Sequence, residues 1–97
     1  MIAPRYRLRV AAPLDFSGIA DEPDVYRWQA IAAVIEAAIR SGDLPPRSLV
    51  PSESQLMGLT GCGRKTVRHA VHDLRDRGLL YTVPSLGTFV SRDMPPG

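Results

Sequence analysis

The tripeptide Gly61-Cys62-Gly63 constrains this 97-residue chain more than any other part of it. Helical signals stand on both sides. Before it, Ser52-Glu53-Ser54-Gln55 has a Ser with a Gln three residues on, a capping-box pattern. It predicts a short helix with Leu56 and Leu59 turned inward, ended by Thr60 and Gly61. After it, an apolar period of helical spacing starts at Arg64. A break of three residues is too short for an independent loop. It forces two helices to cross closely, which is the spacing of a helix-turn-helix.

The helix after the break sorts into two faces. At about 100° per residue, Val67, Ala70, Val71 and Leu74 form one stripe. Lys65, Arg68, His69 and His72 form the opposite one, with Arg64 at its border. Arg64, Lys65 and Arg68 lie in the first two turns, and no acid follows on the helix before Asp73. A solvated surface helix shares this pattern. A dry back with a basic, hydrogen-bonding front also suits the major groove of double-stranded DNA. That groove admits one α-helix and is read by residues near the helix start. The surroundings of the helix decide between the two.

Upstream, Asp24 is placed to cap a helix over 25–41. Trp28, Ile31, Ala32, Ile35, Ala38 and Ile39 would be its buried stripe, Trp28 as a core anchor, and Gly42 its stop. Residues 44–51, with Pro45, Pro46 and Pro51, read as a rigid loop. Downstream, the third helix runs to Arg77 and stops at Gly78. Strands are expected over 79–83 and 88–91, joined by a turn at 84–87. Three helices followed by a two-stranded hairpin make a mainly α fold, the winged helix-turn-helix, over residues 25–91. An arm (1–24) and a Pro-rich tail (92–97) flank it. Within the arm, residues 5–10 alternate strictly: Tyr6, Leu8 and Val10 against Arg5, Arg7 and Arg9. An edge or dimer strand, a basic arm on phosphates and a disordered tail all fit. The clean alternation favours the strand.

Composition narrows the function. No apolar run approaches a membrane span, and the first ten residues hold no apolar core of a signal peptide. Cys62 is the single cysteine, so no internal disulfide forms, and a cytoplasmic location is expected. Net charge is +2, which permits a polyanionic partner. His69 and His72 stand i, i+3, a spacing that can bind metal. No third ligand accompanies them, so no metal or other cofactor is expected. No phosphate loop, nucleophile–base pair or carboxylate pair is present, and an enzyme is not expected.

Residues 25 to 90 resemble the N-terminal DNA-binding domain of the GntR family of bacterial transcription regulators. The resemblance rests on an ordered set: Tyr26, Ile39, Gly42-Asp43-Leu44, Pro51-Ser52-Glu53, Leu56, Gly61, Arg64, Thr66-Val67-Arg68, Ala70, Leu74, Gly78-Leu79 and Gly87-Thr88-Phe89-Val90. It implies that the third helix enters the major groove and that the hairpin touches the minor groove. Arg64, Thr66 and Arg68 match the family's DNA-contacting positions, with Lys65 between them. Arg68, in mid-face, is the candidate for a bidentate bond to guanine, Arg64 for a base or a phosphate, and Lys65 for a phosphate. Thr66 would donate to a phosphate or bond the helix terminus. His69, Ser52, Arg47 and Gly87 complete the expected DNA-binding set.

The chain departs from the family at Gly63, where a Ser or Thr usually caps the third helix, and at Arg47, where Gly is common. Ser54 stands where some members carry an Arg. Residues 83–87 of the hairpin turn carry no cation. Family members normally continue into an effector-binding, dimer-forming domain; this chain is expected to lack it, as a naturally minimal regulator or a related module working with a partner, and no effector site can be argued from these residues. The expectation is a sequence-specific, DNA-binding transcription regulator of repressor type, acting as a homodimer on an inverted repeat. The rival is a winged-helix module that binds protein through Leu86 and the wing, with little affinity for DNA.

Overall fold

A computed structural model describes residues 14–91. The alternating segment 5–10 and the tail 92–97 lie outside the described residues. The elements are a 3-10 turn (Ile19–Asp21), α1 (Asp24–Ser41), α2 (Glu53–Thr60), α3 (Arg64–Asp76), β1 (Leu80–Val83) and β2 (Gly87–Val90). Three helices followed by an antiparallel hairpin is the winged helix-turn-helix order. Every expected element of residues 25–91 is present.

Helix α1 carries the expected stripe: Ile31, Ala32, Ile35, Ala38 and Ile39 are all buried. Trp28, expected as a core anchor, is only half-buried. Asp24 does not cap. It is the first helical residue, preceded by Pro23, and its carboxylate takes Arg27 Nη1 at 2.8 Å. An acid at that place still complements the positive end of the helix dipole. At the other end, Gly42 adopts φ 92° and its N–H reaches Ile39 O, the left-handed stop that glycine permits.

The capping box of α2 is fully formed. Ser52 Oγ accepts from Gln55 N at 3.1 Å, and Gln55 Oε1 accepts from Ser52 N at 2.8 Å. Leu56 is buried, whereas Leu59 is 56% exposed, against expectation. The buried partner of Leu56 is instead Thr60, at i+4. Its hydroxyl is satisfied by donating to Leu56 O at 2.7 Å and accepting from Cys62 N at 3.1 Å. In a two-turn helix only one narrow stripe faces inward, and Leu59 lies off it. Cys62 fills the turn between α2 and α3 as a buried side chain.

Helix α3 lies across both others. Val67, Ala70 and Leu74 are fully buried against α1 and α2. Truncating a residue such as Leu74 to Ala would cost about 2–5 kcal/mol. The hairpin pairs Leu80 with Val90 and Val83 with Gly87. Its three-residue loop turns through Pro84 and Ser85, with Leu86 N donating to Val83 O and Ser85 at φ 71°. Pro second and a positive φ third are the type II pattern, here with Ser where Gly is favoured.

Two segments read as loops turn out to be packed. Residues 47–50 lie along β2 and pair with it through an isolated bridge at Leu49 and Phe89: Val50 N donates to Thr88 O, Val90 N to Ser48 O and Arg47 N to Val90 O, at 2.8–2.9 Å. Residues 14–24, assigned to the arm, contribute Phe16 and Ile19 to the core. The packed unit therefore takes in part of that segment, because these two side chains cover a flank of α1 that would otherwise be wet.

Candidate nucleic-acid interface

Three elements build the candidate surface: the start of α2, the outer face of α3 and the inner side of the hairpin. Gly63 starts α3 with extended backbone (φ −77°, ψ 171°) and supplies no side-chain cap. Arg64, Lys65 and Arg68 are all exposed. Glu53, at the first helical position of α2, reaches across the turn and binds two of them. Arg64 Nη1 donates to Glu53 Oε1 at 3.0 Å and Arg68 Nε to Glu53 Oε2 at 2.7 Å. The Arg68 hydrogen bond, then the positive charges of Arg68 and Arg64, hold the Glu53 carboxyl below its ordinary value against a smaller burial penalty. It is therefore ionised at neutral pH. Each arginine keeps free donors on its outer edge, because a guanidinium has five N–H groups and uses one here.

The remaining expected residues divide. Lys65 stands outward between the two arginines. Thr66 is half-buried, and its hydroxyl makes no hydrogen bond among the described residues, so the helix-terminus bond considered for it is not made. His69 is drawn off the basic row to the α1 side. Its ring stacks on Trp28, centroids 3.8 Å apart and planes 13° from parallel. Near-parallel stacking of this kind fixes a ring's orientation. Ser52 uses its hydroxyl as the α2 cap. Arg47 sits at φ 69° on the segment beside β2, not on the α3 cluster; the left-handed backbone there explains why glycine suits that position. Gly87 is needed for packing: at φ 131° a Cβ would come within 2.9 Å of Leu49 Cδ1.

Sequence reasoning missed Glu53 as a partner, Trp28 as a stacking surface and Arg75 altogether. Arg75 and His72 face a cleft between α3 and the hairpin, opposite Thr82 and Thr88, whose hydroxyls lie 3.0 Å apart. His72 thus points to a different side from His69. No three His, Cys, Asp or Glu side chains gather as a metal site among the described residues. No described helix is long and apolar enough to cross a membrane.

A two-helix corner carrying a basic helix start, backed by a third helix and a hairpin, is matched over residues 28–90 by the family model for bacterial regulatory proteins, gntR family. The chain belongs to the gntR family. The chain is 39% identical over 64 residues to the histidine utilization repressor of Pseudomonas aeruginosa, covering 66% of this chain and 26% of that protein. It is 40% identical over 65 residues to the HTH-type transcriptional repressor NagR of Bacillus subtilis, covering 67% and 27%. Among solved structures, the AraR DNA-binding domain in complex with operator ORR3 matches at 38% identity and TM-score 0.64, over 66% of this chain and 77% of that one. A GntR-family regulator from Pseudomonas syringae matches at 26% identity and TM-score 0.67, over 94% of this chain and 38% of that one. This gntR-family chain spans about a quarter of the length of the curated relatives it matches.

Proposed function

We propose that this chain acts as a sequence-specific transcription regulator of repressor type, which binds double-stranded DNA in the cytoplasm and performs no catalysis. Helix α3 enters the major groove with Arg64, Lys65 and Arg68 foremost. Arg68 bonds a guanine edge, Arg64 a base or a phosphate, and Lys65 and Thr66 phosphates. Ser52, Arg47, His69 and Gly87 take no direct base contact in this reading. Two copies occupy the halves of an inverted repeat.

One observation carries the reading: Arg64 and Arg68 are exposed at the start of α3 yet held in place by a single carboxylate. A solvated surface helix needs no such brace. Support comes from the operator complex of the AraR domain, which this chain resembles, and from the repressors among its relatives. A second reading has its own observation. Leu86, 69% exposed at the hairpin tip, and the apolar groove of Leu49, Pro51 and Leu59 suit a protein partner.

Selection from random duplex DNA at physiological salt, followed by Arg68→Ala, separates the two. DNA reading predicts a recovered palindrome. It also predicts that Arg68→Ala costs about 1–3 kcal/mol of binding and loses discrimination at one base position. Equal binding by mutant and wild type would overturn the assignment of Arg68.

A further inference from the structure

The hairpin turn at 83–87 carries no cation, but the flank of α3 facing the hairpin does. Arg68, His72 and Arg75 line one side of a cleft whose other side holds Thr82 and Thr88. Arg68 and Arg75 are seven residues apart, two turns and about 10 Å along the same flank. Glu53 also lines the cleft, and both its oxygens are taken by Arg64 and Arg68. The Arg75 side chain has no ion-pair or hydrogen-bond partner among the described residues, so no carboxylate holds its guanidinium. Thr82 and Thr88 are hydrogen-bonded to each other at 3.0 Å. One hydroxyl donates in that pair, which leaves the proton of the other free to donate outward.

The major groove is about 12 Å wide, and a helix with its side chains measures about 10–12 Å. A helix seated in it is therefore flanked closely by both sugar–phosphate backbones. With α3 seated in this way, the backbone on the hairpin side would run along the flank that carries this cleft.

We propose that the cleft clasps a backbone phosphate, with the Arg75 guanidinium and a hydroxyl of the Thr82–Thr88 pair as donors. The inference rests on the groove-binding reading of α3 above. Arg75 supplies from the helix the cation that the turn at 83–87 lacks.

The test uses the duplex selected by the wild-type chain and copies of it with one neutral methylphosphonate at each backbone position in turn. Wild type should lose about tenfold in affinity at one position in each half-site, the scale of a charge-assisted hydrogen bond. Arg75→Ala should bind the parent duplex about tenfold more weakly. It should lose nothing further at that position while staying sensitive at the others. Its plot of log K against log salt should be shallower by about 0.9, one phosphate's worth. Thr82→Val with Thr88→Val should weaken binding and blunt the response at the same position. Thermal melting monitors folding, and Arg75→Gln replaces Arg75→Ala if that variant melts early. Unchanged affinity and slope in Arg75→Ala would overturn the proposal. So would weaker binding with undiminished sensitivity at every position, which is general charge steering only. If wild type selects no preferred duplex, the groove-binding reading fails first, and that result is distinct from either.

Discussion

Glu53 turns three loose cations into two aimed ones and one free one. An exposed ion pair of this kind adds only about 0–1 kcal/mol to stability, so its effect belongs to binding. Glu53→Gln removes a negative charge beside the duplex and lets Arg64 and Arg68 sample other rotamers. Binding to unrelated DNA should tighten and its salt slope steepen. Discrimination between the selected and a scrambled duplex should fall by about 1 kcal/mol, within the range of one bidentate base contact. Competition titrations at two salt concentrations check both. Gly63 is the second telling residue. Its backbone already has cap geometry, and an added Cβ would meet nothing within 4 Å. Gly63→Ser should stabilise the chain by about 0.5–1 kcal/mol through a capping hydrogen bond and a less flexible unfolded state; a denaturant titration measures it. The missing cap and the capping box of α2 were both legible in the sequence, because each lies within four consecutive residues. The Glu53 brace was not. Its partners stand eleven and fifteen residues away across the turn, and no periodic pattern within one helix reports on a neighbour.

At the scale of elements, α1 and α3 are joined twice along one flank. Trp28 stacks on His69, and Glu36 accepts from Arg77 at 2.8 Å. Both contacts advance by eight residues, so the helices run in the same sense along that flank. Arg77 also binds Asp73, and Arg40 binds the other Glu36 oxygen. Hydrogen bonds from Arg77 first, then Arg40, hold the Glu36 carboxyl below its ordinary 4.5. Unfolded chain therefore binds a proton more readily than folded chain. The clamp contributes fully above 4.5, and its contribution falls away as pH drops through the lower folded value. Glu36→Gln should be less stable than wild type by about 0.5 kcal/mol at pH 7, as for other partly exposed pairs. The gap should narrow in unfolding measured as pH falls below 4.5 and close below the depressed folded value. A gap independent of pH would assign the loss to packing. The helices and the hairpin were readable from period and punctuation, since each has a buried face of regular spacing. The strand-like pairing of residues 47–50 was hidden. Pro45, Pro46 and Pro51 signal a loop, while the pairing is made by backbone groups of residues 47, 48 and 50, which no side-chain pattern reports.

For the molecule as a whole, the recognition surface is small. One α3 presents Arg68 and at most Arg64 to base edges, fewer than the three or four base-reading side chains of a typical recognition helix. A genome offers about 10⁶–10⁹ competing sites, and each base mismatch is worth about 1–3 kcal/mol. A single copy therefore cannot single out an operator, whereas two copies on one duplex multiply their discriminations. Two α3 helices entering the same face of DNA must sit about 10–10.5 base pairs apart, or a multiple of that. In the proposed inverted repeat, inserting about five base pairs between the halves rotates one half-site to the opposite face of the duplex, half of that repeat. The 97-residue chain should then bind each half with single-copy affinity and lose cooperativity, and inserting a full turn of about ten should restore part of it. Band-shift titration resolves the singly and doubly occupied species. Cooperativity that survives the half-turn insertion would mean that the two copies do not need one face of the duplex. Recognition would then rest on flexible tethering, with the spacing of the halves no longer carrying information.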